Sequence, residues 1–303
     1  MSPPTLPPHE ILEEGTPREG KLKGIRYNGW TITSRKAPIL NSSEIDILSR
    51  YLVWLFPSSA QAALGIPLPE MIFGNNHLTL EHERGFRLEF RALDALKRVD
   101  STSGSSEMIK VAYAEEWSSK SNANHEDIKD VIKPYDWTYS TDYRGSHAGV
   151  VEGQQFESTT ESIDIEKLKV PDPILFYEEN ILYEDELADN GTALLNVRLR
   201  VMPSCFFLLQ RFLLRVDDVL FRMNDTRVYH EFGSPYVLRE YVSREDHYAK
   251  IRAQIPPYKG EDISLLTDPN WISAALPPPK KEDVVQEKVG VLPRIVGSAT
   301  SVV

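Results

Sequence analysis

Val201-Met-Pro-Ser-Cys-Phe-Phe-Leu-Leu-Gln-Arg-Phe-Leu-Leu-Arg-Val-Asp-Asp-Val-Leu-Phe-Arg-Met-Asn-Asp-Thr-Arg-Val-Tyr-His-Glu231 is the most informative segment of the chain. Its apolar half, Cys205 to Leu214, is the best core-forming segment of the chain. Phe206 to Val216 and Val219 to Met223 read as strands joined by Asp217-Asp218, a two-residue hairpin signal weaker than Asp-Gly. Directly after the second strand, Met223-Asn224-Asp225-Thr226-Arg227 packs polar, charged and apolar groups into five residues. Such a stretch builds a core and then presents a surface. It contains no catalytic motif.

Working outward, the same period-two pattern recurs. Leu78, Leu80 and His82 alternate with polar residues, as do Phe86, Leu88 and Phe90, with Glu83-Arg84-Gly85 between them, which predicts a hairpin. Ile109, Val111 and Tyr113 form another alternating run. Ile174 to Tyr177 and Ile181 to Tyr183 read as two strands flanking an acidic turn. Val197, Leu199 and Val201 face opposite to Asn196, Arg198 and Arg200, and Tyr236 to Val242 is one more strand. Helical spacing appears at Ile45, Leu48, Leu52 and Leu55, preceded by Asn41 with Glu44 three residues on, a reciprocal cap. Ala92 to Val99 reads as a short helix. Many closely spaced strands with few helices, those mostly toward the N-terminus, argue an α+β class built on antiparallel sheet.

The 303 residues suffice for a sizeable core at 41% hydrophobic and 10% aromatic content. The net charge of −11 argues against a phosphate-neutralising nucleic-acid binder. One cysteine, Cys205, rules out a disulfide within the chain and reads as a buried small hydrophobe. Residues 1–20, with Pro3, Pro4, Pro7 and Pro8, lack a basic start and an apolar run, so they read as a disordered arm rather than a secretory signal. Residues 277–303 read as a flexible tail, which leaves 21–276 as one domain. No apolar run reaches the ~20 residues of a membrane span. The expected location is the cytoplasm, extending to the nucleus.

Recognisable chemistry is absent. The 16 glycines form no phosphate loop. There is no zinc spacing and no nucleophile elbow, and the seven histidines are isolated. His77 and His82 fall on opposite faces of their presumed strand, and His230-Glu231 reads as a surface or interface pair. No catalytic residue, metal or cofactor is therefore expected. Acidic runs such as Glu184-Asp185-Glu186 read as solvated faces. Trp137 stands out as a candidate partner anchor, because Lys133-Pro134-Tyr135-Asp136-Trp137-Thr138-Tyr139 sets three aromatics in a proline-stiffened segment.

Leu68-Pro-Glu-Met-Ile-Phe-Gly74, Ala114-Glu-Glu-Trp117, Val131 to Tyr139 with Thr141-Asp-Tyr143, Arg200-Val-Met-Pro-Ser204, and Arg222 to Arg227 with Leu238-Arg-Glu-Tyr241 together resemble the Tip41-like TOR-signalling regulators. The resemblance covers about 21–255 in order. It implies an antiparallel β-sheet core with an N-terminal α/β region on one surface and a cleft on the other. It further implies a non-enzymatic partner of the catalytic subunits of type-2A protein phosphatases (2A, 4 and 6). Such a partner takes the phosphatase's C-terminal tail in the cleft, holds the enzyme inactive, and works with the phosphatase-binding protein alpha-4 (Tap42 in fungi). Partner-contact positions carry over onto Asp94, although Leu93 departs from the family pattern before it, and onto Ile163, Met223 and Asp225. Arg227 belongs to the same cluster. Ile163 and Met223 would offer apolar area, and Asp94 and Asp225 would accept hydrogen bonds; a core role for Met223 and an Asx-turn role for Asp225 compete with these. The chain departs from the family at a longer N-terminal arm, at insertions around 52–66 and 101–106, and at Asp218, where a glycine is expected. Two other readings remain open: a scaffold acting through alpha-4 without touching the phosphatase, and an enzyme with an unrecognised site.

Overall fold

A computed structural model of the chain describes residues 6–16, 20–55, 68–99, 139–147, 155–169, 171–187, 189–257 and 263–291. Trp137 and the alternating run at 109–113 lie outside the described residues, as do most of the two insertions.

Among the described residues, fourteen strands form two antiparallel sheets. The first sheet is ordered β1 (Glu10–Glu14), β2 (Lys21–Tyr27), β3 (Trp30–Lys36), β5 (His77–His82), β6 (Arg87–Arg91) and β7 (Ser146–His147). The second sheet is ordered β4 (Met71–Ile72), β9 (Phe176–Asp185), β10 (Gly191–Val201), β11 (Cys205–Val216), β12 (Leu220–Glu231), β13 (Tyr236–His247), β14 (Val285–Gly290) and β8 (Glu157–Ser158).

Alternation explains the layering. Trp30 and Ile32 on β3, Leu78 and Leu80 on β5, and Leu88 and Phe90 on β6 share a core with Val197 and Leu199 on β10 and with Phe206, Leu208, Phe212 and Leu214 on β11. Trp30 joins the layers, its ring 4.8 Å from those of Phe206 and His230. Burying a side chain of this size contributes about 1.5–3 kcal/mol. Gly191 opens β10 where backbones meet: a Cβ there would stand 1.9 Å from the Arg215 carbonyl oxygen.

Helix α1 (Ser42–Leu55) begins at the cap expected from the sequence. The Glu44 amide donates to Asn41 Oδ1 at 3.1 Å, and the Asn41 amide donates to Glu44 Oε2 at 2.8 Å. Helix α2 (Ala92–Leu96) follows β6. Two further short helices, α3 (Tyr248–Arg252) and α4 (Pro269–Ala275), lie near the C-terminus, where the sequence reading has none. Asp268 caps α4 by accepting from the Asn270 amide at 2.8 Å. These helices and the turn at Ser264–Thr267 cover one end of the second sheet's outer face, where Leu213, Phe221 and Met223 pack with Tyr248, Ile251 and Ile272.

Several expectations are corrected. The arm read as disordered contains β1, whose five residues pair in register with β2, and Glu10 meets Arg26 at 3.1 Å. The tail read as flexible contains β14, paired with β13 from Tyr236↔Gly290 to Tyr241↔Val285. Proline-rich and charged flanks hide both strands in composition. The acidic turn near Glu178 is the middle of β9, held extended because Glu178 meets Lys36 at 2.5 Å and Glu179 meets Arg198 at 2.7 Å. The irregularity expected there appears instead as a register shift opposite Leu195 and Asn196. The β11–β12 hairpin closes at Val216↔Leu220, so the loop has three residues, with Asp218 in the left-handed region at φ 60°.

Candidate partner-binding site

Strand β12 does not end at Met223. It runs on to Glu231, so the Met223–Arg227 cluster is the middle of a strand with two occupied faces. Asn224 donates to the Thr141 carbonyl at 2.9 Å, and His230 packs on Trp30, so the even-numbered side chains point at the first sheet. The odd-numbered ones, Phe221, Met223, Asp225, Arg227 and Tyr229, point outward.

Asp225 is fully buried and is not a turn residue. Arg211, directly opposite on β11, donates Nε to Oδ1 at 2.7 Å and Nη2 to Oδ2 at 2.9 Å. Arg244 on β13 approaches Oδ2 at 3.9 Å. Both arginines reach on to α4: Arg211 donates to the Pro269 carbonyl at 3.1 Å, and Arg244 donates to the Ser273 carbonyl and Oγ, each at 2.8 Å. Burial pulls the Arg244 guanidinium below its ordinary pKa; Asp225 opposes this shift and Arg211 adds to it. Met223, 1% exposed, lies under the same C-terminal cover. The competition over Met223 thus resolves toward packing in this conformation, and its apolar area is not offered to solvent.

At the other end of the outer face, the segment around Ile163 crosses β12 and β13. Ile163 is buried with Met202, Cys205, Tyr229 and Leu238, and its amide donates to Glu240 Oε1 at 2.8 Å. Glu240 also stands 4.0 Å from Arg227 Nη1, across the β12–β13 ladder. Between the two covering segments runs a groove of about 250 Å³. Asp225, Arg227, Glu240 and Val242 form its floor, Ser162 and Gln286 lie on one side, and Pro279 and Lys281 on the other. Asp225 and Arg227 line this groove, while Ile163, from a distant part of the sequence, lies beneath one bordering segment and Met223 beneath the other. Of these four, Arg227 is the one whose side chain is substantially exposed, at 33%.

Asp94 stands apart. It sits on α2 beside a second cleft of about 500 Å³ that includes Arg98, Asp142, Arg144 and Arg239. Its Oδ2 accepts from Ser146 Oγ at 2.6 Å, and its Oδ1 accepts from Lys97 at 3.3 Å. Arg239 and Glu240 are consecutive on β13, so this cleft and the groove occupy opposite faces of the second sheet. Burial lowers the Arg239 pKa, and the guanidiniums of Arg144 and Arg98 add to that lowering, although Glu287 pairs with it at 2.8 Å.

Glu240, Arg211, Arg244 and Ser273 were missed by sequence reasoning. The available signal was the strand register, which sets Arg227 against Glu240 and Arg211 against Asp225. His230 is corrected from a surface pair to a core residue: it is 2% exposed among Trp30, Phe206 and Phe232, and burial pushes its pKa down to about 4. Cys205 is buried as expected, and burial raises its thiol pKa. Among the described residues no group of three or more His, Cys, Asp or Glu could hold a metal ion, and no helix is long and apolar enough to cross a membrane.

The chain is similar in sequence to known proteins. A family model described as the TIP41-like family matches residues 71–252. A human TIP41-like protein is 47% identical over 251 residues, covering 83% of this chain and 84% of the relative. A Saccharomyces cerevisiae protein named type 2A phosphatase activator TIP41 is 40% identical over 278 residues, covering 86% of this chain and 74% of the relative. Its Schizosaccharomyces pombe counterpart of the same name is 35% identical over 269 residues, covering 89% and 97%.

Proposed function

The chain belongs to the TIP41-like family, and we propose that it regulates type-2A protein phosphatases by binding their catalytic subunit, without chemistry of its own, in TOR signalling. The observation that carries this reading is the groove floored by Asp225, Arg227 and Glu240, with Ile163 beneath one bordering segment and Met223 beneath the other. It brings Ile163 beside three alternate positions of β12, at a place that an extended segment of the phosphatase can occupy. A non-catalytic role is supported by how the floor is committed: Asp225 is held by Arg211, and Glu240 is engaged by the Ile163 amide and Arg227. In our reading the bound phosphatase is held inactive, and a partner of the alpha-4 type joins the same assembly in the cytoplasm. The fungal relatives carry the word activator in their names, so the sign of the effect is measured rather than assumed.

The test uses the purified chain and purified type-2A catalytic subunits, with and without the phosphatase C-terminal tail. Saturable binding is expected, with phosphatase activity on a phosphopeptide falling as the complex forms. Arg227→Ala, at the partly exposed side chain of the groove floor, is expected to weaken binding about tenfold or more, as loss of an interface anchor does. Absence of binding by the unmodified chain would refute direct contact. Binding that appears only once an alpha-4-type protein is added would establish the scaffold reading instead.

A further inference from the structure

Met223 and Asp225 pose a problem for any direct-contact account, because they are 1% and 0% exposed. What covers them is the C-terminal arm, 263–284. Leu266, Ile272 and Leu276 of the arm pack on Met223 and Phe221, while Arg211 and Arg244, both held by Asp225, grip the Pro269 and Ser273 carbonyls. Ser273 Oγ lies within hydrogen-bond distance of both guanidiniums, 2.8 Å from Arg244 and 3.3 Å from Arg211. The chain then continues from α4 into Pro279 and Lys281, which border the groove.

We propose that Met223 and Asp225 are positioning residues. They latch α4 to the second sheet and thereby set the C-terminal wall of the groove, against which the partner docks. Asp225 fixes the plane of the Arg211 guanidinium through two hydrogen bonds and draws in that of Arg244 at 3.9 Å, and the two guanidiniums hold α4 through its backbone and Ser273. Met223 fills the space beneath, where a flexible unbranched side chain conforms to α4 and to the Arg244 guanidinium, which stands 3.7 Å from its Sδ. An ion pair buried on both sides loses more when one partner is removed than a surface pair does, so the latch is sensitive to small changes at Asp225. The inference rests on the phosphatase-binding reading for its partner but not for its mechanics.

Two readouts test it on the full-length chain: hydrogen exchange of residues 263–284, and affinity for a purified type-2A catalytic subunit. Ser273→Ala removes only the hydroxyl contacts and leaves the Asp225–Arg211 pair in place. It is expected to speed exchange across the arm and to weaken binding about tenfold, the scale of one charged hydrogen bond. Ile272→Ala, at a fully buried position, is expected to do the same. Asp225→Asn should loosen the arm most.

The proposal is overturned if Ser273→Ala and Ile272→Ala loosen the arm yet bind as the unmodified chain does. It is equally overturned if Asp225→Asn abolishes binding while exchange of the arm stays unchanged, because contact would then be direct. If the unmodified chain binds no catalytic subunit, the functional reading fails together with the partner half of the proposal, while hydrogen exchange still judges the latch.

Discussion

Arg211 and Asp225 face each other across β11 and β12 as a two-point pair, 2.7 and 2.9 Å, with Asp225 wholly removed from solvent. Removing the carboxylate charge leaves the buried Arg211 guanidinium with the neutral Pro269 carbonyl and Ser273 Oγ as its remaining partners among the described residues. Asp225→Asn is expected to cost about 3–5 kcal/mol of stability. Urea denaturation monitored by tryptophan fluorescence measures it; a change below about 1 kcal/mol contradicts the role assigned to the pair.

His230 makes stability depend on pH. In the unfolded chain its imidazole takes up a proton near the ordinary histidine value of 6.5, while in the fold it resists protonation until about 4. The unfolded state therefore binds more protons between these values, so its contribution is fully present above about pH 6.5 and is lost as pH falls through 4. His77, His82 and His147 are lowered in the same direction, each chiefly by burial. The melting temperature is expected to fall between pH 7.5 and 5, and His230→Phe to flatten that slope. An unchanged slope in the variant assigns the pH dependence elsewhere.

At the β11–β12 turn, Asp218 adopts φ 60°. L residues other than glycine are disfavoured there, aspartate less than most. Asp218→Gly should raise stability by about 0.5–1 kcal/mol if relief of that strain exceeds the added chain entropy of glycine. Thermal unfolding reads the sign directly.

Asn41 and Glu44 close the start of α1 reciprocally. Asn41→Ala is expected to lower stability by about 1 kcal/mol and to speed amide exchange in the first turn of the helix. Exchange confined to the strands would contradict the cap.

Much of the fold was legible because most strands have one apolar face turned to the shared core, which writes a period of two into β5, β6 and β10. The middle of β12 was not legible. Both of its faces are occupied, one by the first sheet and the other by the C-terminal arm, so Asn224, Asp225 and Thr226 read as a surface although each is buried. Glu178 and Glu179 misled for a related reason. Their charges are satisfied by Lys36 and Arg198 on other strands, and such long-range pairing leaves no local trace. The candidate site was half visible: family motifs marked Ile163, Met223, Asp225 and Arg227, but Glu240, which joins the Ile163 segment to Arg227, emerges only from strand register. Asp94 belongs to a separate cleft, and no local pattern distinguishes the two faces.

The sealed position of Cys205 has a practical consequence. It is the chain's single cysteine, lies 3% exposed beneath Ile163 and Tyr229, and is kept in its protonated form by burial. Alkylating reagents act on the exposed thiolate, so Cys205 in the native protein is expected to react far more slowly than an exposed cysteine. A cysteine introduced at Lys281, on the border of the groove, can therefore carry a fluorophore or spin label alone, without prior removal of Cys205, and report on groove occupancy with Arg227 in place.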